Sequence, residues 1–483
     1  MLNRAAVVPD FHSSLQALYG ALRKARALTD GFFARLTPQA MYARSIAERH
    51  RVIFYLGHLE AFDWNLLGHR VFGQKAIQPE LEQLFAFGID PVDGQLPRDE
   101  PSDWPTISVV QSFCQQIRRH LDATIERWIT TCTAPSRSIR DALEMALEHR
   151  LMHLETLSYK LPHLPLTSFV PDSFVPLSEQ PGPNRPGYDR VGVPHQPRIV
   201  NIPAGPVTIG RNRDDYFGWD NEFCAQTVQV PAFAIAARNV TNGEFLSFVL
   251  DGGYQERTLW TDPDWQWKTS RNLALPILWS PRGKDYFARA SFEELPLPLD
   301  WPVTVSLAEA RAYVRYLHAK DPHTTARLPS EAELHRAAYA DAEAWTAQTQ
   351  DAVAEAALRQ FPWPGPEAVP LVHGNFGGIR HDPCPVGAFP EGDSPLGVAD
   401  LYGNGWEWTQ TPFRPLTDFQ IDPRYPGYSQ PFFDDKHFVI RGASATTDVR
   451  FLRRSFRNWF QAHYPYVFAT FRCVYDHRAQ SPS

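Results

Sequence analysis

Cysteine is scarce and scattered in this chain. Only five of its 483 residues are cysteine (Cys114, Cys132, Cys224, Cys384 and Cys473), and no two form a CxxC pair. An odd, dispersed set argues against a thiolate metal cluster and against a disulfide framework. Reduced and mostly buried thiols are expected instead. Long apolar runs are missing too. Nothing approaches 18 consecutive apolar residues, so no membrane span is expected. The opening residues, MLNRAAVVPDFHSSLQ, lack the apolar core of a signal peptide, which points to the cytoplasm. Runs of Lys or Arg are also absent, and the net charge is −7, so a nucleic-acid partner is not expected. No fixed-period repeat is found.

Aromatic residues and proline, by contrast, are plentiful: 14 Trp, 17 Tyr, 31 Phe and 43 Pro. That balance suits a loop-rich domain with aromatic packing better than a helical repeat. The length allows two or three domains, each with a sizeable core. Four amphipathic stretches fill the first third: LQALYGALRKARALTDGFFARL, ERHRVIFYLGHLEAFDWNLLGHRVF, ISVVQSFCQQIRRHLDATIERWI and DALEMALEHRLMHLETLSYKL. Four antiparallel helices of this length make a bundle, assigned to residues 1–162. The link between the second and third, GIDPVDGQLPRDEPSDWP, is long and rich in proline, as functional loops often are. Residues 163–197 carry too much proline for a helix or a central strand and read as an extended linker. From 198 to 476, short β-like runs alternate with turns and two helical patches, giving an α+β domain. Residues 477–483 are left as a tail. Ser306 with Glu309, and Ser330 with Glu333, have capping-box spacing at the two helix starts.

The chemistry centres on histidine. His149 and His153 lie four apart on the last helix of the bundle, so both imidazoles leave one face about a turn apart. His58 lies in a second apolar helix, and two packed helices can bring three such residues into one core. Neutral imidazole suits iron, zinc or copper. A His-x3-His pair is also common as a surface or satisfied core pair, so the rest of the chain has to decide.

The second domain contains IPAGPVTIG (202–210), NVTNGEF (239–245), WPVTVSLAEARAY (301–313), RLPSEAELHRAA (327–338), PVGAFPEGDSPLGVADLYGNGWEWT (385–409) and RGAS (441–444). In this order they resemble the sulfatase-modifying-factor, or formylglycine-generating-enzyme-like, fold. Formylglycine-generating enzymes work through a close cysteine pair near the C-terminus. Cys473 has no such neighbour, so that activity is not expected. Joined to a DinB-like bundle bearing His, then His-x3-His-x-Glu, the arrangement resembles the ergothioneine/ovothiol sulfoxide synthases and their selenoneine-forming relatives. GWDNE (218–222) and SFRNWFQ (455–461) are also similar to this family, and the resemblance covers about residues 40 to 475.

The resemblance implies that His58, His149 and His153 hold non-heme Fe(II). Three imidazoles on one face of an octahedral ion leave up to three positions for substrates. It further implies O2 and hercynine (Nα-trimethylhistidine) as substrates, with a new carbon–selenium or carbon–sulfur bond on the imidazole ring. Asn458 and Trp459 match family residues around the trimethylammonium and carboxylate. An aromatic face suits a quaternary ammonium, although plain core packing is an equal reading of Trp459. Met152 stands where many relatives have Gln.

Relatives that use γ-glutamylcysteine hold its carboxylates with charged residues. At the matching positions this chain has Trp104, Phe460 and Tyr464. An unpaired buried dicarboxylate costs several kcal/mol, which disfavours that donor. Aromatic walls suit a seleno- or thiosugar, while cysteine, as in ergothioneine synthases, stays open. Phe413 and Leu416 lie where one branch has two tyrosines, the first a proton donor. Tyr425, Tyr428, Tyr464 and Tyr466 are the candidates to replace it, each as readily structural. A thiol dioxygenase on the same iron, or a module that only binds ligands, are the competing readings. The expected assembly is a monomer or small homo-oligomer.

Overall fold

Apolar positions three and four apart give the first helix one buried face: Leu15, Leu18, Leu22, Ala25 and Phe32 on α1 (Leu15–Phe33). The computed structural model describes residues 15–87, 96–131, 137–171, 173–175, 177–181, 198–213, 217–340 and 360–476. They fall into two compact units, 1–175 with 214–217, and 176–213 with 218–483.

In the first unit, the short α2 (Pro38–Met41) leads to α3 (Val52–Asp63), which is buried nearly all round and so lies at the centre of the bundle. α4 (Pro79–Phe87), α5 (Ile107–Thr131) and α6 (Arg137–Lys160) complete it. α1 packs on α6, and α3 packs on α4, α5 and α6. On α6 every residue from Ala142 to Leu151 is buried.

Three details differ from expectation. The second helix does not run on as a regular α-helix to Phe72. Beyond Asp63 it widens into a π-helical segment, Trp64–Val71, where the Trp64 ring lies over Gly68 and leaves no room for a Cβ. The stretch before the proline-rich link also folds, as α4. Its start signals were present: Pro79 opens it, and Glu80 and Glu82 lie in the first turn. The bundle also continues past 162, where a bridge between Leu36 and Phe169, with Thr37 N–H donating to the Ser168 carbonyl, ties the following turns back. Most of the expected linker, the tail and Cys132 lie outside the described residues.

The second unit is built from short strands. β1 (Ile199–Ile202), β4 (Phe233–Ala236) and β12 (Val474–Asp476) form one antiparallel sheet, and β2 (Gly205–Ile209) pairs with β3 (Gln226–Val230). α7 (Asn242–Leu250) and α8 (Asp262–Ser270) follow, then a meander of β5 (Trp279–Arg282), β6 (Asp285–Arg289) and β7 (Glu294–Pro296). After α9 (Leu307–Lys320) and α10 (Glu331–Tyr339) comes the sheet that matters most here. It runs β10 (Asn458–Gln461), β9 (His437–Ala443), β8 (Gly405–Pro412), β11 (Ala469–Thr470), with β11 parallel to β8.

The GNGWEW phrase turns out to be structural. Trp406 and Trp408 are buried, and Trp408 Nε1 donates to the Val305 carbonyl at 2.8 Å. The buried Glu407 carboxylate accepts two bonds from Arg472, at 2.6 and 2.7 Å. Cys114, Cys384 and Cys473 are buried and free, and burial pushes the Cys384 and Cys473 thiols up to about 12, so they are unreactive.

Both capping boxes form. Ser306 Oγ accepts from Glu309 N–H while the Glu309 carboxylate accepts from Ser306 N–H at 2.8 Å, and Ser306 is fully buried. Ser306→Ala is expected to lower unfolding free energy by about 1–2 kcal/mol, the upper part of the range for a lost N-cap. Urea unfolding at constant m-value checks it.

Candidate metal centre and aromatic pocket

α3 and α6 bring His58, His149 and His153 together. One ligand atom from each lies within 4.8 Å of the others. The ring centroids are 5.2 Å apart for His58 and His149, 4.9 Å for His58 and His153, and 4.5 Å for His149 and His153. The Nε2 atoms of His149 and His153 are 3.1 Å apart.

Each ring is held by a neighbour. His58 Nδ1–H donates to the Phe85 carbonyl at 2.7 Å, and its ring stacks on Phe54 at 4.7 Å. The His149 ring lies parallel to Phe62, with centroids 3.4 Å apart. Tyr55 stands 5.6 Å from His153. Burial lowers all three imidazoles, His58 to about 4 and the other two well below their usual range. All three are therefore neutral at pH 7 with lone pairs to offer. The Nδ1 atom of His153 has no hydrogen-bond partner among the described residues. Three converging imidazoles, one of them with an Nδ1 that has no partner among the described residues, form a donor set that suits a divalent cation.

Met152 is half-buried in the turn between the two α6 histidines, and its carbonyl accepts from Thr156 at 3.0 Å. Trp104 is buried in the same unit. Its Nε1–H donates to Asp99 at 2.6 Å, and Asp99 also pairs with Arg44 and, at 2.9 Å, with Arg51. Charge is thus present beside Trp104: one carboxylate, Asp99, held between two guanidiniums.

In the second unit, the remaining candidates separate into two groups because neighbouring residues on β10 face opposite ways. Trp459 sits in an aromatic box. Phe413 stacks on it at 4.1 Å and 5°, Tyr428 meets it edge-on at 5.3 Å, and Phe432 closes in at 5.6 Å. Tyr425 lies 5.7 Å beyond Tyr428. Asn458 Oδ1 accepts from the Trp459 N–H at 2.9 Å. Phe460 instead stacks on Tyr464 at 5.1 Å, and Tyr464 meets Tyr466, whose hydroxyl accepts from Arg271 at 2.7 Å. Tyr464 therefore belongs with the donor-position residue Phe460, apart from Tyr425 and Tyr428. Leu416 falls in neither group. It lines a separate cavity of about 250 Å³ with Glu331 and Arg457, which are paired at 2.9 Å.

Residue types alone did not point to Trp219. It stacks on Tyr428 at 3.9 Å and so forms the back of the box. Its neighbour Glu222 is fully buried and accepts from Arg453 at 2.8 Å and Ser455 at 2.6 Å. The signal available was the resemblance of the GWDNE phrase itself.

Comparison with known proteins matches this architecture half by half and as a whole. Residues 188–477 match the Sulfatase-modifying factor enzyme 1-like domain, and residues 21–157 match the DinB superfamily. Across both, the chain is 32% identical over 421 residues to a hercynine oxygenase of Mycolicibacterium thermoresistibile, covering 86% of this chain and 84% of that protein. The chain belongs to the ergothioneine/ovothiol sulfoxide synthase family. A hercynine oxygenase of Mycobacterium tuberculosis is 37% identical over 264 residues, 54% of this chain and 57% of that protein. Ergothioneine biosynthesis protein 1 of Neurospora crassa is 27% identical over 510 residues, 91% of this chain. The chain thus spans just over half the length of two of these three sulfoxide-synthase relatives. Among the described residues, no helix is long and apolar enough to cross a membrane.

Proposed function

We propose that this sulfoxide-synthase relative is an iron(II)-dependent oxygenase that forms a carbon–selenium or carbon–sulfur bond at C2 of the hercynine imidazole. The observation that carries it is the convergence of three neutral imidazoles with no carboxylate among them. His58, His149 and His153 would hold the iron, and Fe(II) bound there supplies the oxygen chemistry that side chains lack.

The residues of the second unit have roles that do not depend on that step. The box of Trp459, Phe413, Tyr428 and Phe432 offers aromatic faces to a trimethylammonium group. Asn458 supplies an amide for the carboxylate. Tyr428, the one hydroxyl-bearing ring among these four, is the tyrosine assigned to pass a proton to a substrate lodged there. Tyr425 lies behind it, and burial raises its hydroxyl above the usual phenol range, so it keeps its proton.

The donor reading is a seleno-sugar, with cysteine as the alternative. It is supported by the absence of charge at Trp104, Phe460 and Tyr464. The stacked Phe460–Tyr464 pair is a flat apolar surface with a hydroxyl, which suits a sugar ring. The Trp104 N–H is already committed to Asp99 and offers the donor no hydrogen bond.

The deciding assay reconstitutes the chain anaerobically with Fe(II), then adds hercynine and O2 with a 1-seleno-sugar, cysteine or γ-glutamylcysteine in parallel, with mass-spectrometric detection. The expected result is a selenium adduct at the imidazole ring. A sulfoxide adduct from cysteine would make this an ergothioneine-type synthase. Oxidised thiol with no adduct would indicate a dioxygenase.

A further inference from the structure

Helix propensity favours alanine over glycine at position 57, in the middle of α3, yet glycine stands there, immediately before His58. The space it leaves is filled by Phe85. A Cβ on residue 57 would fall inside contact distance of three Phe85 ring carbons, Cγ, Cδ1 and Cδ2. Phe85 is fully buried, and its ring also packs on Phe113 at 5.7 Å.

The same residue touches His58 through its backbone. Phe85 lies in the last turn of α4, where carbonyls have no partner within the helix, and its carbonyl accepts from His58 Nδ1 at 2.7 Å. A carbonyl oxygen can only accept, so the proton sits on Nδ1 and the Nε2 lone pair is left exposed.

α4 is docked firmly enough to hold that carbonyl still. The Glu82 carboxylate accepts from the Ile77 and Gln78 amides at 2.7 and 2.9 Å, and bonds His69 Nε2 at 2.8 Å. His69 lies in the π-helical continuation of α3. A closed loop therefore runs from α3 through His69 and Glu82 to α4, and back through Phe85 to Gly57 and His58.

We infer that Phe85, seated in the gap left by Gly57 and anchored through Glu82, is the positioning residue that fixes the tautomer and orientation of His58 as a metal ligand. The inference rests on the metal-site reading above. Its role is that of an outer partner holding a ligating imidazole, whose loss typically weakens metal binding about 10–100-fold.

The test uses the full chain and four variants: Gly57→Ala, Phe85→Leu, their combination, and Glu82→Ala. One readout is Co(II) affinity from ligand-field absorption, and the other is the His58 tautomer from 15N shifts of the metal-free chain. Gly57→Ala and Glu82→Ala are expected to weaken Co(II) binding by about 10–100-fold and to mix the tautomers. Phe85→Leu keeps the carbonyl and should bind near wild type. In the double variant the smaller leucine makes room for the new Cβ, so affinity and the Nδ1–H tautomer should return. Wild-type behaviour of Gly57→Ala, or a folded double variant no better than Gly57→Ala, overturns the assignment. Should Gly57→Ala not fold, Glu82→Ala decides, because it touches neither His58 nor Phe85's ring; unchanged affinity and tautomer there overturn it. A wild-type chain that binds no Co(II) or Fe(II) refutes the metal reading, whereas metal bound equally well by every variant refutes only the positioning role.

Discussion

Replacing His153 with alanine should abolish metal-induced stabilisation while leaving the metal-free protein as stable as before, or more so. The expectation follows from how the ring is held. Its Nδ1 has no hydrogen-bond partner among the described residues, and its Nε2 meets only the Nε2 of His149, 3.1 Å away. A half-buried ring whose Nδ1 is shielded from solvent without a partner is a cost in the absence of a ligand, and removing it relieves that cost. Binding is another matter. A divalent ion at 100 times its dissociation constant adds about 2.7 kcal/mol of stability by mass action. Losing one of three ligands should weaken binding by more than the roughly 10–100-fold that an outer partner contributes. Thermal unfolding with and without Fe(II) or Co(II), under anaerobic conditions, reads both effects. If the full metal-dependent shift persisted in His153→Ala, the three-histidine site would be wrong. If the metal-free variant instead lost several degrees, His153 would be a structural residue. Product formation with hercynine should fall to background in the same variant.

The parts of this site that could be read from the sequence are those where spacing is geometry. His149 and His153 share a helix face because four residues make about one turn, and Ser306 and Ser330 cap because the glutamate falls at the third helical position. The parts that stayed hidden depend on groups with no signature in residue identity. His58 is oriented by the backbone carbonyl of Phe85, and every residue type carries a carbonyl. Trp104 appeared as a loss of charge, but the arginines that pair with its partner Asp99, Arg44 and Arg51, come from an earlier part of the chain. β8 gave no strand alternation because Gly405 to Thr409 are all buried, with Glu407 neutralised by Arg472 far along the chain. The split between Tyr464 and Tyr428 depends on which face of β10 each side chain meets, and that needs the register with β9.

The largest stability effect is expected at Arg150, directly after His149. Its side chain is almost wholly buried and bonds Asp63 at 2.7 Å, Glu60 at 2.9 Å and the Leu59 carbonyl at 3.1 Å. Arg118 reaches Glu60 at 2.7 Å, while Arg26 stands farther off, 3.9 Å from Glu60 and 3.6 Å from Asp63. Arg150→Met would leave two buried carboxylates short of a cation. Breaking a buried pair in this way costs about 3–5 kcal/mol, a large part of the roughly 5–15 kcal/mol that holds a domain folded. The pH dependence carries the signature. Burial already holds Asp63 above the usual carboxylate range despite its arginines, so its folded pKa exceeds its unfolded one. Such a group favours the fold when protonated, and that contribution is lost as pH rises through the folded pKa. Removing Arg150 raises that pKa further and widens the window. Glu60 behaves oppositely. Arg150, Arg26 and Arg118 overcome its burial and hold it at about 2, so its contribution is present above about 4 and fades as pH falls toward 2. Without Arg150 that depression shrinks. Both changes have the same sign: the deficit of Arg150→Met should be largest near pH 7 and narrow as pH approaches 4. Urea midpoints at the two ends measure it. A deficit independent of pH would mean that the loss is one of packing alone. Glu60 and Asp63 lie on α3 just beyond His58, and Arg150 lies on α6 beside His149. The ion cluster therefore locks the register of the two helices whose histidines must meet, so the variant should lose metal affinity along with stability.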